Sequence, residues 1–183
     1  WEGGSIPYLV SVVDNDAKGN AFCSPEIVLE GSLKNYIGNV DEKGQYFRWE
    51  FEATQGELIQ SLKNKRNVAA TEIVQLIPEK IGYSGRIIDL RIEYKDFQNN
   101  LQSIEIHSEY EIRNIMSPFF LYSSAFCVEK NENGNFNLIG KGWGHGVGLC
   151  QIGALGRALN GQSTDNILNH YYSVSKLKRI YSS

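Results

Sequence analysis

Between Gly140 and Leu149 the chain reads GKGWGHGVGL, with glycine at every second position: Gly140, Gly142, Gly144, Gly146 and Gly148. Glycine loses more backbone freedom on folding than any other residue, about 0.5 to 1 kcal/mol relative to alanine in a regular element. Such a run is tolerated only where another backbone or a ligand must approach closely, or where several residues need φ > 0. If the run is extended, alternation leaves one face bare and sets Lys141, Trp143, His145, Val147 and Leu149 in a row on the other. Either solution suits the wall of a close-fitting groove. The plainer alternative is a tight strand crossing in a β-core with His145 merely hydrogen-bonded inside, and spacing alone does not choose between them. Phosphate cradling is excluded by arithmetic: G-x-G-x-x-G needs a glycine at an odd offset, and no G-K-[ST] is present.

The flanking sequence predicts the elements that carry this run. Tyr46 to Phe51 alternates as a strand does, and Thr54 with Glu57 has capping-box spacing for a helix to about Lys65. Ile73 to Ile77, Arg86 to Tyr94 and Leu101 to His107 read as successive antiparallel strands, broken at Gly82, Gly85 and Asn99-Asn100. Ser108 with Glu111 opens a short helix ending near Met116, before Pro118. The turn Asn131 to Gly134 joins two extended runs, Phe119 to Val128 and Phe136 to about Leu149, as a hairpin. After Cys150, the spacing of Ala154, Leu155, Ala158 and Leu159 predicts a helix with that apolar stripe, closed at Gly161. A further helix starts at Ser163, with Asp165 in its first turn and Ile167, Leu168, Tyr171 and Tyr172 as its stripe. The expected fold is α+β, one domain over residues 1–183 with an irregular antiparallel sheet and three to four short helices.

Composition narrows the function. At 183 residues, 42% hydrophobic and 21% charged, the chain can bury a core. With a net charge of -3 and only one short basic cluster, Lys63 to Arg66, it lacks a nucleic-acid footprint. No apolar run approaches the roughly 18 to 20 residues that span a bilayer. Cys23, Cys127 and Cys150 cannot all pair within one chain and form no C-x-x-C or His/Cys cluster, so neither a metal nor a cofactor is expected. Cys150 falls near a helix N-terminus, where the dipole favours thiolate, five residues after His145. A Cys-His nucleophile needs an orienting third group, however, and such pairs are usually remote in sequence, so all three cysteines read as small core residues. Tyr122, Ser123, Ser124 and Tyr171-Tyr172 offer the faces and hydroxyls that suit sugar rings, although core packing fits each singly. His107 and His170 read as ordinary histidines.

The run GKGWGHGVGLCQIGA (Gly140 to Ala154) resembles the G-x-G-x-GHGVG-(M/L)-x-Q-x-GA signature of the stage II sporulation protein D family, also called SpoIID/LytB. ILNHYY (Ile167 to Tyr172) resembles that family's closing I-L-x-HYY element, and WEGGSIPYLVSVVD (Trp1 to Asp14) its W-GG-x-PYL-x-SV-D segment. Arg113 with LYSSAF (Leu121 to Phe126) and SGRI (Ser84 to Ile87) also fit, whereas Asn15 to Val74 matches loosely. The resemblance implies action on peptidoglycan glycan strands outside the cytoplasm, at the cell envelope, either as a lytic transglycosylase or as an enhancer of a cell-wall amidase. It also implies groove residues: His145 and Gln151 at the catalytic centre, with Lys141, Trp143, Cys150, Tyr122 and Ser123 contacting substrate. One departure matters. The family's glutamate-bearing segment, and a His/Cys stretch linked to zinc, precede the W-GG-x-PYL element at which this chain begins. The domain is therefore expected to lack an N-terminal segment, and Glu2, Glu111 and Glu129 are expected to be surface carboxylates rather than the catalytic acid.

Overall fold

The computed structural model describes residues 6–38, 47–178 and 180. In chain order, a 3-10 turn at Glu30–Ser32 leads into α1 (Lys34–Ile37), followed by β1 (Arg48–Ala53), α2 (Gln55–Arg66), β2 (Glu72–Ile81), β3 (Ile87–Lys95), β4 (Leu101–His107), α3 (Glu109–Met116), β5 (Phe126–Lys130), β6 (Phe136–Lys141), α4 (Gln151–Leu159) and α5 (Thr164–Tyr171). The fold is α+β, as expected; the helix not anticipated is the single turn α1. The chain divides into two compact units, Gln45–His145 and Trp1–Gly44 with Gly146–Ser183, so the dividing point falls inside the glycine run. Tyr46, Glu2 and the start of the W-GG-x-PYL segment lie outside the described residues. Among the described residues, no helix is long and apolar enough to cross a membrane.

The 45–145 unit holds two antiparallel three-stranded sheets, ordered β1-β6-β5 and β2-β3-β4. Its core comes from period-two alternation in the strands and period-3.6 spacing in the helices. Trp49, Ala53, Leu90, Ile92, Ile106, Phe136 and Leu138 bury one face of their strands, while Leu58, Leu62, Ile112, Ile115 and Met116 bury the inner stripes of α2 and α3. Each such side chain contributes about 1.5 to 3 kcal/mol on burial. The helices start where their caps dictate: Thr54 and Glu57 form the reciprocal capping box, and the Ser108 hydroxyl accepts from Glu111 N. Strand β2 continues through Pro78 to Ile81, which the sequence reading did not expect. It can because β2 is an edge strand with irregular register around Pro78, so the missing N–H breaks no ladder.

Two extended segments are shorter than the sequence suggested. Residues 119–125 are not strand: Phe120 has φ 66°, and Arg113 holds the turn by donating from Nε to Leu121 O at 2.7 Å. Strand β6 stops at Lys141 instead of running to Leu149. Beyond it Gly142, Gly144, Gly146 and Gly148 have φ of 67°, 77°, 75° and 68°, so the run takes its left-handed solution rather than its extended one.

In the other unit, an isolated bridge between Asn15 and Ala21 closes a turn, and α4 and α5 pack beside it. The buried face of α4 is Gly153, Gly156 and Arg157, not the stripe of Ala154, Leu155, Ala158 and Leu159. Partners remote in sequence decide this. A Cβ on Gly153 would lie 2.1 Å from Asp14 Oδ2, and one on Gly156 would lie 2.2 Å from the Phe22 carbonyl oxygen. Ser163 caps α5 by accepting from Asn166 N, and Ile167 with Tyr171 forms its buried side.

Candidate functional site

The site begins with a glycine chosen for space rather than conformation. At Gly140, opposite Trp49 in the β1–β6 register, an added Cβ would fall 2.1 Å from the Trp49 ring, so the indole lies against bare backbone. Trp49 Nε1 then donates to Gly142 O at 3.0 Å, and Gly142 N donates to Phe47 O at 3.0 Å. Gly144 N donates to Tyr122 O at 2.9 Å, while Arg86 Nε donates to Gly144 O at 2.8 Å. The left-handed glycines thus turn their peptide groups toward fixed partners, and the loop is tied at alternate residues. Trp143 stands between two of these ties with 38% of its surface exposed, its ring 4.8 Å from that of Tyr122. Tyr122 in turn meets the buried Trp49 edge-on at 5.4 Å. An exposed indole is therefore braced by Tyr122, whose own ring rests against the buried Trp49.

His145 ends this unit, half-buried. Burial pushes its imidazole below the usual pKa, the Glu109 carboxylate works against that shift, and the Arg86 and Arg113 cations add to it. The ring is neutral at neutral pH, with one nitrogen donating and the other accepting. Arg113 is itself buried, paired with Glu109 at 3.3 Å and lying 4.2 Å above the centre of the Phe120 ring. Sequence reasoning missed Glu109 and treated Arg86 only as part of SGRI. The i,i+4 spacing of Glu109 and Arg113 on a capped helix was the available signal.

A second polar cluster lies in the other unit. Asp14 accepts from Arg157 Nε at 2.7 Å through Oδ1 and from Tyr171 OH at 2.5 Å through Oδ2. Arg157 also donates to Gln162 Oε1 at 3.0 Å and from Nη2 to His170 Nε2 at 2.8 Å. A guanidinium has no lone pair to offer, so His170 Nε2 is the acceptor and its proton sits on Nδ1. Burial first, and Arg157 second, lower its pKa accordingly. Ser11 Oγ donates to Gly146 O at 3.0 Å and Gly148 N to Val10 O at 3.3 Å. Residues 10–14, the end of the glycine run and the HYY element are thus tied together within one unit. Among the described residues, no three His, Cys, Asp or Glu side chains are grouped to hold a metal ion.

A family model described as a domain of unknown function, DUF8618, matches residues 1–148. The chain belongs to this family. It is 31% identical over 141 residues to an uncharacterized protein of Brachyspira hyodysenteriae, an alignment covering 75% of this chain and 35% of that protein. It is locally similar to an amidase enhancer of Bacillus subtilis, 38% identical over 52 residues, covering 28% of this chain and 7% of the enhancer. It is also locally similar to a stage II sporulation protein D of Bacillus amyloliquefaciens, 40% identical over 60 residues, covering 33% of this chain and 17% of that protein. The chain therefore spans about a third of the Brachyspira relative and less of the other two.

The residues expected at the site divide between the DUF8618 chain's two units. Trp143, Tyr122, Lys141 and His145 belong to the 45–145 unit, with Lys141 exposed at the end of β6. Ser123 belongs there too, but it is 0% exposed, donates to Lys141 O at 2.8 Å and accepts from Ala125 N at 3.2 Å. That leaves it no face for a ligand; it holds the strand end instead. Ser124 is likewise buried. Gln151, exposed at the first position of α4, and Cys150, its N-cap, belong to the other unit. Cys127 is exposed rather than core, because strand alternation turns Phe126 and Val128 inward on either side of it. Glu111 pairs with Arg66 at 2.7 Å and Glu129 is exposed, so both are surface carboxylates.

Proposed function

We propose that this chain binds the glycan strands of peptidoglycan in the cell envelope, outside the cytoplasmic membrane. The observation that carries the reading is the braced Trp143 ring on a tied glycine loop that ends in the neutral His145. Sugar rings offer apolar C–H faces to an aromatic ring and hydroxyls that both donate and accept, as a neutral imidazole does. Lys141 adds an exposed cation beside the same loop. The local likeness to a stage II sporulation protein D supports this reading.

For the protein in its full length, we propose lytic cleavage of peptide-free strands. A carboxylic acid would protonate the glycosidic oxygen and then, as a base, help the sugar's 6-hydroxyl close an anhydro ring. Glu109, beside His145, is already engaged by Arg113, and this favours an acid from another segment. The same observation, with the local likeness to an amidase enhancer, supports a second reading: a non-catalytic module that binds strands and raises the activity of a cell-wall amidase.

Binding of purified peptide-free strands by the chain and by Trp143→Ala tests the shared claim. The expected loss is about tenfold, or about 1.4 kcal/mol; equal binding by both proteins rejects the Trp143 face. Mass spectrometry of the strands then separates the readings. Anhydro-ended sugars from a protein carrying an acid-bearing glutamate segment favour lytic cleavage. Intact strands together with faster amidase turnover favour the enhancer.

A further inference from the structure

Glycine populates φ > 0 about as readily as φ < 0, so Gly142 and Gly144 do not by themselves fix which way their peptide groups are turned. Holding one arrangement falls to partners outside the loop. For the peptide that joins Trp143 to Gly144 the partner is backbone, because Gly144 N donates to Tyr122 O at 2.9 Å. For the next peptide, joining Gly144 to His145, it is a side chain: Arg86 Nε donates to Gly144 O at 2.8 Å. The group from which His145 departs is therefore gripped by a guanidinium. That guanidinium is itself well placed. Arg86 Nη1 donates to Ser84 O at 3.2 Å, in a turn where Gly82 N donates to Arg86 O at 2.8 Å. The next residue, Ile87, is 1% exposed and its N donates to Ser124 O at 2.9 Å, so the backbone under Arg86 is anchored. Nη2 lies beside Gly142, 3.6 Å from where a Cβ on that residue would be. On the reading of this loop as a glycan site, on which the inference rests, we propose that Arg86 is a positioning residue: through the peptide it grips, it sets the direction in which His145 meets the strand.

Shape and charge contribute separately to this role. The shape is the planar fork, which donates to Gly144 O and Ser84 O at once and reaches from the turn to the loop. A lysine ammonium is a compact point charge on a flexible stem and does not reproduce that fork. The charge acts on His145 itself. After burial, the charged groups that bear on the imidazole are Glu109 and Arg113 of α3 and Arg86: the carboxylate favours the imidazolium, and both cations disfavour it. Removing the Arg86 cation therefore moves protonation of His145 to higher pH, whereas lysine at the same position preserves the cation. Gripping the peptide and repelling the proton have one outcome, a neutral ring held in one direction.

The test compares the chain with Arg86→Gln and Arg86→Lys, by binding of purified peptide-free strands across pH and by NMR of the His145 amide and imidazole in the ligand-free proteins. Both variants break the fork, so both should displace the His145 amide resonance and bind strands about tenfold more weakly where the ring is neutral. The pH midpoint of binding should rise in Arg86→Gln and stay at the parental value in Arg86→Lys. Full affinity in either variant overturns the proposal, since Arg86→Lys would then show that a cation alone suffices. An unmoved His145 amide overturns it as well, because the loop then keeps its place without Arg86. Unfolding of both variants, read from their denaturant midpoints, assigns Arg86 to the scaffold and has the same result. A parental chain that binds no strand rejects the glycan reading alone, and the His145 amide in the ligand-free proteins then decides whether Arg86 positions the loop.

Discussion

Glycine serves two different physical ends in the two units. In the loop after β6 it supplies conformation: at Gly144, with φ 77°, an added Cβ would meet nothing within 4 Å, so only the backbone angle demands glycine. On α4 it supplies space: Gly156 has ordinary helical geometry, but an added Cβ would strike the Phe22 carbonyl. The stretch from Gly140 to Gly156 thus contains glycines fixed for unrelated reasons, and substitutions should tell them apart.

Gly156→Ala should give the largest effect, a destabilisation of about 3 kcal/mol from overpacking against backbone that cannot step aside. Denaturant midpoints measure it, and Gly156→Asn should be no better than alanine. Gly144→Ala should cost about 1 to 2 kcal/mol, the penalty of a left-handed residue with a Cβ. Here Gly144→Asn should recover part of the loss, since asparagine tolerates that conformation. If asparagine rescues neither position, or both, the distinction between conformation and space fails.

The smallest effect is one of pH. Burial depresses His145 below its ordinary value of 6.5, so just below that value the unfolded chain binds more protons than the folded one. Stability therefore rises with pH through this window and is lost as pH falls from 6.5 toward the depressed folded pKa. Strand binding that depends on the neutral ring should weaken over the lower part of the same window, and His145→Gln should flatten both profiles. Titrating stability and binding for the two proteins side by side checks this.

What the sequence disclosed was local. Thr54 with Glu57, Ser108 with Glu111, and the Asn131 to Gly134 turn act over a few residues, and each boundary they predicted is present. The glycine run was legible as special but not in form, because alternation at period two fits a bare-faced strand and a chain of left-handed turns equally well. The α4 face was misread because Asp14 and Phe22, far back in sequence, decide which side is buried. Cys127 was misplaced for a local reason, its phase in a strand that the sequence had located. Of the site, Trp143 with Tyr122 emerges as a contact, whereas Ser123 is absorbed into the scaffold and Glu109 enters through its pairing with Arg113.

The contrast between Trp49, 2% exposed against the backbone of Gly140, and the half-open Trp143 has a practical consequence. These two of the chain's three indoles are built-in optical probes of different events. A shielded indole emits at shorter wavelength and resists aqueous quenchers, so Trp49 reports on the integrity of the sheet. Trp143 sits where a dissolved quencher can reach it until something covers the ring. Quenching recorded with and without a saccharide would therefore read occupancy of the loop from the protein's own light, with no label attached.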